Sequence, residues 1–125
     1  MNDFNVILSV PEEWTDYDRL CKTCDYYLSK KKETSLITIL AQNSNELISR
    51  YAGERGYQIS VVPVVYSQGK RAMWLRDNRM ADLGNACIAF FSSYGLNNPQ
   101  HSIVNVCMKR RNILVRTISE DQDEE

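Results

Sequence analysis

Glycine is scarce in this chain of 125 residues. There are five, and only Gly69 and Gly95 stand where a strand would give way to a helix. A backbone that cradles phosphate needs N–H groups free to converge, usually through glycines ahead of a helix N-terminus. Neither G-x-G-x-x-G nor a P-loop is present. Histidine occurs once, at His101, and no nucleophile or carboxylate is set beside it by spacing. Cys21-Lys22-Thr23-Cys24 has no second C-x-x-C to complete a zinc set, so no metal site is expected. The net charge is −1, which gives no general attraction to nucleic acid or to anionic membranes. No apolar run approaches the ~18 residues of a membrane span. Met1 to Val10 lacks a basic segment and soon meets Pro11, unlike a secretion signal. The expected location is the cytoplasm.

Apolar residues make up 43% and charged residues 25%, an ordinary soluble composition with enough apolar side chains for one core. The reading is one domain over residues 1–118. An acidic tail, 119–125, is too charged to bury and is expected to be disordered. Short apolar runs alternate with amphipathic segments. Asn5 to Val10 reads as a first strand, ended by Pro11. A helix capped by Thr15 or Asp16 follows, with Tyr17, Leu20, Cys21, Cys24, Tyr27 and Leu28 on one face. The Cys-x-x-Cys lies inside this helix, which points to packing rather than redox chemistry.

Leu36 to Ala41 is a second strand, and Ser44 to Leu47 opens a second helix that Gly56 terminates. Gln58 to Val65 is a third strand, residues 66–69 a loop, and Lys70 to Leu83 a third helix. Ala86 to Phe91 is a fourth strand, residues 99–110 a fourth helix, and Asn112 to Ile118 a fifth strand. Strands that are apolar throughout are buried on both faces, which implies a mostly parallel sheet between two helix layers. The fold expected is an α/β three-layer, Rossmann-like sandwich, five-stranded, in the order 3-2-1-4-5.

Two segments carry a family likeness. Tyr51-Ala52-Gly53-Glu54-Arg55-Gly56-Tyr57 resembles a helix end of the form aromatic-Ala-x-Glu-Arg-Gly-aliphatic. Gly69-Lys70 through Met80-Ala81-Asp82 resembles a helix of the form G-K-x-A-G-x-x-R-N-x-x-M-A. Together they resemble the YspA-type branch of the SLOG superfamily, Rossmann-like domains related to the lysine decarboxylase-like phosphoribohydrolases. Arg76 takes the place of the family arginine and Asp77 that of its asparagine. The departures are as telling. The family's Gly-Gly-Ala-x-Gly-Ala-Asp turn is replaced by Ile39-Leu40-Ala41-Gln42-Asn43-Ser44-Asn45. The first turn reads Ser9-Val10-Pro11, and Pro99-Gln100 stand near the family's Gly-Thr. The catalytic glutamate of the related hydrolases falls at about Ile103, so that general acid/base is absent.

In an open parallel sheet, ligands bind at the carboxyl ends of the strands. The candidate ligand residues are therefore Gln42, Asn43, Ser44, Asn45, Gly69, Lys70, Arg71, Arg76, Asp77, Ser92, Ser93 and His101. Side-chain amides and hydroxyls at 42–45 would stand in for backbone donors. Arg76 is the leading contact, because its fork suits phosphate or carboxylate. Trp74, on the polar side of its helix, suggests an interface or core packing. The expected function is binding of a nucleotide-related or other small anionic ligand without catalysis and without a cofactor. Two alternatives remain: an N-glycosidic hydrolase acting on nucleotides with substituted catalytic groups, and a structural or interaction dimer. Expected partners are the ligand and possible homo-oligomer contacts, not membranes or nucleic acid.

Overall fold

The computed structural model describes residues 2–92 and 99–120. The elements run β1 (Asn2–Ser9), α1 (Tyr17–Leu28), β2 (Ser35–Ala41), α2 (Glu46–Arg55), β3 (Gln58–Val61), α3 (Ala72–Leu83), β4 (Ala86–Phe91), α4 (Pro99–Met108) and β5 (Leu114–Ser119). The strands form one sheet in the order β3-β2-β1-β4-β5, and every adjacent pair is parallel. Helices cover both faces, so the expected three-layer α/β sandwich and its strand order are the observed ones. Among the described residues no helix is long and apolar enough to cross a membrane.

Alternation along β1 builds two cores. Val6 and Leu8 join Leu20 and Cys24 of α1 and Ile48 and Tyr51 of α2 on one face. Ile7 joins Met80 and Ala81 of α3 and Ile103 and Cys107 of α4 on the other. Each fully buried aliphatic of this kind stabilises the fold by about 1.5–3 kcal/mol. Gly84 is required between β1 and α3, since a Cβ there would lie 2.7 Å from Cδ1 of Ile7. All four cysteines are free, and burial pushes the Cys24 thiol up, away from the reactive thiolate.

Several boundaries differ from the sequence reading. β1 runs from Asn2 to Ser9 rather than from Asn5 to Val10. β3 ends at Val61 instead of Val65, with one further bond to β2 from the Val62 N–H to the Ala41 carbonyl. Residues expected as a loop and helix start form a 3₁₀ turn, Tyr66–Arg71, broken by Gly69 at φ +81°, and α3 proper begins at Ala72. α4 stops at Met108. β5 is shifted to Leu114–Ser119, so Ser119 belongs to the sheet, paired with Phe91, rather than to the tail. Residues 121–125 of the expected tail lie outside the described residues.

Candidate functional site

The carboxyl ends of β1 and β2 meet a closed polar cluster. Ser9, the last residue of β1, donates from Oγ to Oε1 of Gln42 at 2.5 Å. Gln42, just past β2, donates from Nε2 to Oδ1 of Asp77 at 3.0 Å. Arg76 donates from Nε to the same Asp77 oxygen at 2.8 Å, and from Nη1 to the backbone carbonyl of Gln42 at 2.7 Å. Ser102 of α4 completes the set, donating from Oγ to Oδ2 of Asp77 at 2.6 Å. Arg76 is only 3% exposed and Asp77 1%. The charges cancel, and each is met by further hydrogen bonds, which is the condition for burying an ion pair. The cluster ties the turn after β2 to α3 and α4.

Arg76, expected to present its fork to a ligand, is therefore turned inward. The sequence reading placed Arg76 on the third helix, where it lies, but did not fix which face of α3 packs. Asp77 and Gln42 are likewise buried. Ser92, also buried, donates from Oγ to Oε1 of Glu13 at 2.5 Å. That bond joins the turns after β4 and β1, the two strands between which the order reverses and where a doubly wound sheet opens its ligand crevice. Gln100, in the first turn of α4, is buried with Oε1 unpaired among the described residues.

Asn43 and Ser44 are exposed, and Asn45 is occupied as a helix cap. Its Oδ1 accepts from the N–H groups of Leu47 and Ile48, and its Nδ2 donates to the Val10 carbonyl. Beside it lies a groove of about 390 Å³ whose lining includes Glu12, Trp14, Thr15, Ser44, Asn45 and Glu46. Two carboxylates and no cation line it, so an anion is repelled there.

The start of α3 is different. Lys70 and Arg71 are exposed, the N-cap position holds Arg71, no side chain caps the helix, and its first turn has no acid. α1, by contrast, is capped by Asp16 and carries Asp18, and α2 is capped by Asn45 and carries Glu46. The Arg71 guanidinium lies 4.5 Å above the Trp74 ring. Trp74 is 44% exposed, so it is not a core residue. Gly69, Lys70 and Arg71 thus lie together on the surface, apart from the buried Arg76 and Asp77. Ser93 lies outside the described residues, as does the side chain of His101, whose backbone is in α4.

Sequence reasoning missed Ser9, Glu13, Gln100 and Ser102. Ser9 carried the one available signal, a hydroxyl inside an apolar strand. Among the described residues no group of three or more His, Cys, Asp or Glu is placed to hold a metal ion. The described residues form a doubly wound α/β domain with a Glu13–Ser92 bond across the switch point and a basic start of α3 that no side chain caps. Comparison with known proteins returned no matching family model, no matching curated protein and no matching solved structure.

Proposed function

We propose that this chain is a non-catalytic, SLOG-like domain that binds a small anionic, nucleotide-related ligand at the start of α3. One observation carries the reading. Of the three α-helix starts whose caps are described, α3 alone has no side-chain cap, no acid in its first turn and two exposed cations beside it. A helix N-terminus carries about half a positive charge, and Lys70 and Arg71 add to it. The Arg71–Trp74 pair supplies a flat face suited to a base or sugar. Support for a binding rather than a catalytic role comes from two residues. Ile103, where the related hydrolases hold a glutamate, is fully buried in the core. Asp77 accepts from three partners and has no access to solvent.

The test is a thermal-shift series at low salt with pyrophosphate, a nucleoside monophosphate and the matching nucleoside. A ligand at ~100 times its Kd stabilises the folded state by about 2.7 kcal/mol. The phosphate-bearing probes should raise Tm, the nucleoside should not, and the Lys70→Ala, Arg71→Ala double variant should lose the shift while keeping its own Tm. A shift that survives in the double variant, or none with any probe, removes the reading.

A further inference from the structure

The sheet has two outer strands, β3 and β5, and they are finished differently. β5 carries Arg116 and follows Lys109, Arg110 and Arg111, charges of the kind that keep an edge from pairing with another copy. β3 has no such protection. From Gly56 to Gly69 the chain holds no charged residue at all.

The backbone of β3 faces outward in a defined pattern. The Val62 N–H donates to the Ala41 carbonyl of β2 at 2.9 Å. N–H and C=O directions alternate along an extended strand, so Ser60 also faces β2. Ile59 and Val61 then turn their N–H and C=O groups away from the sheet, and no described residue pairs with them. Their side chains share a face with their register partners Ile39 and Ala41, which belong to the core under α1 and α2. Yet Ile59 is 40% exposed and Val61 42%. Ser60, beside Leu40, is exposed on the opposite face.

We propose that β3 pairs antiparallel with β3 of a second copy of this chain, about a two-fold axis through Ser60. In that register Ile59 of each copy stands opposite Val61 of the other. These are the residues whose outward backbone groups are free, so each Ile59–Val61 pair exchanges two hydrogen bonds. The two β-branched side chains cover one another on the α1/α2 face. Ser60 meets its own copy on the other face. The occupant is a second copy because an uncharged edge has no charge pattern with which to select a different partner, while this register matches it to itself. Pro63 limits the pairing to the short strand, and the charged β5 edge prevents propagation, so the assembly closes as a dimer. Only four residues of each chain form the strand, so the dimer is weak, with Kd in the micromolar range.

Sedimentation velocity from ~5 to ~500 μM, bracketing such a Kd, tests it. Wild-type protein should pass from monomer to twice the monomer mass. Ser60→Lys and Ser60→Glu each place like charges against each other on the axis, and each should weaken the dimer at least tenfold, worth ~1.4 kcal/mol. An equal mixture of the two variants should regain the dimer. In wild-type protein, amide exchange at Ile59 and Val61 should slow with concentration while that at Ser60 does not change. A monomer throughout the range overturns the proposal. So does a dimer that Ser60→Lys leaves intact, a mixture that fails to re-associate, or exchange at Ile59 and Val61 that ignores concentration. The exchange measurement needs no variant, so it decides the matter even if a substitution at Ser60 unfolds the chain.

Discussion

Replacing Arg76 with methionine keeps much of the side chain's bulk and removes its charge. Asp77 then remains at 1% exposure with Gln42 and Ser102 as its donors among the described residues, and the Gln42 carbonyl loses the Nη1 hydrogen bond. Removing one partner of a buried pair costs roughly 3–5 kcal/mol, because an uncompensated charge is left behind. A domain of this size has roughly 5–15 kcal/mol of total stability, so the loss is large. With an m-value of about 1–3 kcal/mol/M in urea, the midpoint should fall by about 2 M, followed by the fluorescence of the buried Trp14. Asp77→Asn gives the sharper test, because its sign should reverse with background. In the wild-type chain it strands Arg76 and costs roughly 2–3 kcal/mol. In the Arg76→Met chain it removes the stranded charge and should restore about 2 kcal/mol. A single Arg76→Met variant within ~0.5 kcal/mol of wild type, as expected of a surface substitution, would refute the buried cluster. If that variant also lost a phosphate-dependent shift, Arg76 would be a ligand contact after all.

Two other sites give direct checks. Asp25 of α1 accepts from Nε and Nη2 of Arg55 and from the Tyr51 hydroxyl, joining α1 to α2. The Arg55 guanidinium, aided by Tyr51 and opposed by partial burial, holds the Asp25 carboxyl below its ordinary value. A depressed pKa stabilises above the unfolded value of about 3.9 and loses that contribution as the pH falls through the folded one. Asp25→Asn should therefore cost about 1 kcal/mol at neutral pH, a figure reduced for solvent screening. The gap to wild type should close below about pH 4 in urea titrations at stepped pH. A gap that widened on acidification would contradict the assignment. Gly84→Ala drives a Cβ to 2.7 Å from Cδ1 and 3.0 Å from Cγ1 of the buried Ile7, and 3.2 Å from the Met80 carbonyl. Overpacking of this kind costs about 1–3 kcal/mol, visible as a lower Tm, and an unchanged Tm would mean that the end of the Ile7 side chain moves aside.

The fold was legible because local signals and global burial agree. Ala86 to Phe91 is apolar at every position, which only a strand covered on both faces requires. Gly56 reads as the stop of α2 and holds φ +75° there, while the opening expected at Ser44 to Leu47 falls at Glu46, with Asn45 as its cap. The site was legible only as a region. That Gln42 meets Asp77, 35 positions away, follows from the strand order, which the sequence pattern implies, and from which face of α3 turns inward, which it does not. Ser9 and Ser102 look like ordinary hydroxyls until the topology brings them to one cluster. Arg76 misled for the opposite reason. Its fork suits an external anion and an internal carboxylate equally well, and only burial tells them apart.

That ambiguity explains why the scarcity of glycine and the closed cluster belong together. An edge built from glycine turns offers its backbone N–H groups outward and leaves them for a ligand to satisfy. Here the turns after β1 and β2 contain no glycine, and several of their polar groups are satisfied from within. Ser9 bonds Gln42, Gln42 bonds Asp77, Arg76 covers the Gln42 carbonyl, and Asn45 caps α2 while also holding the Val10 carbonyl. Glu13 and Ser92 join the turns on either side of the switch point. Each of these bonds stabilises the edge and removes a group that would otherwise meet a ligand. The start of α3 has no side-chain cap: its first N–H, that of Ala72, is held by the carbonyl of Gly69, which stands at positive φ. Among the described turns at this edge, the one that holds a glycine, Gly69, is also the one where the cations Lys70 and Arg71 stand.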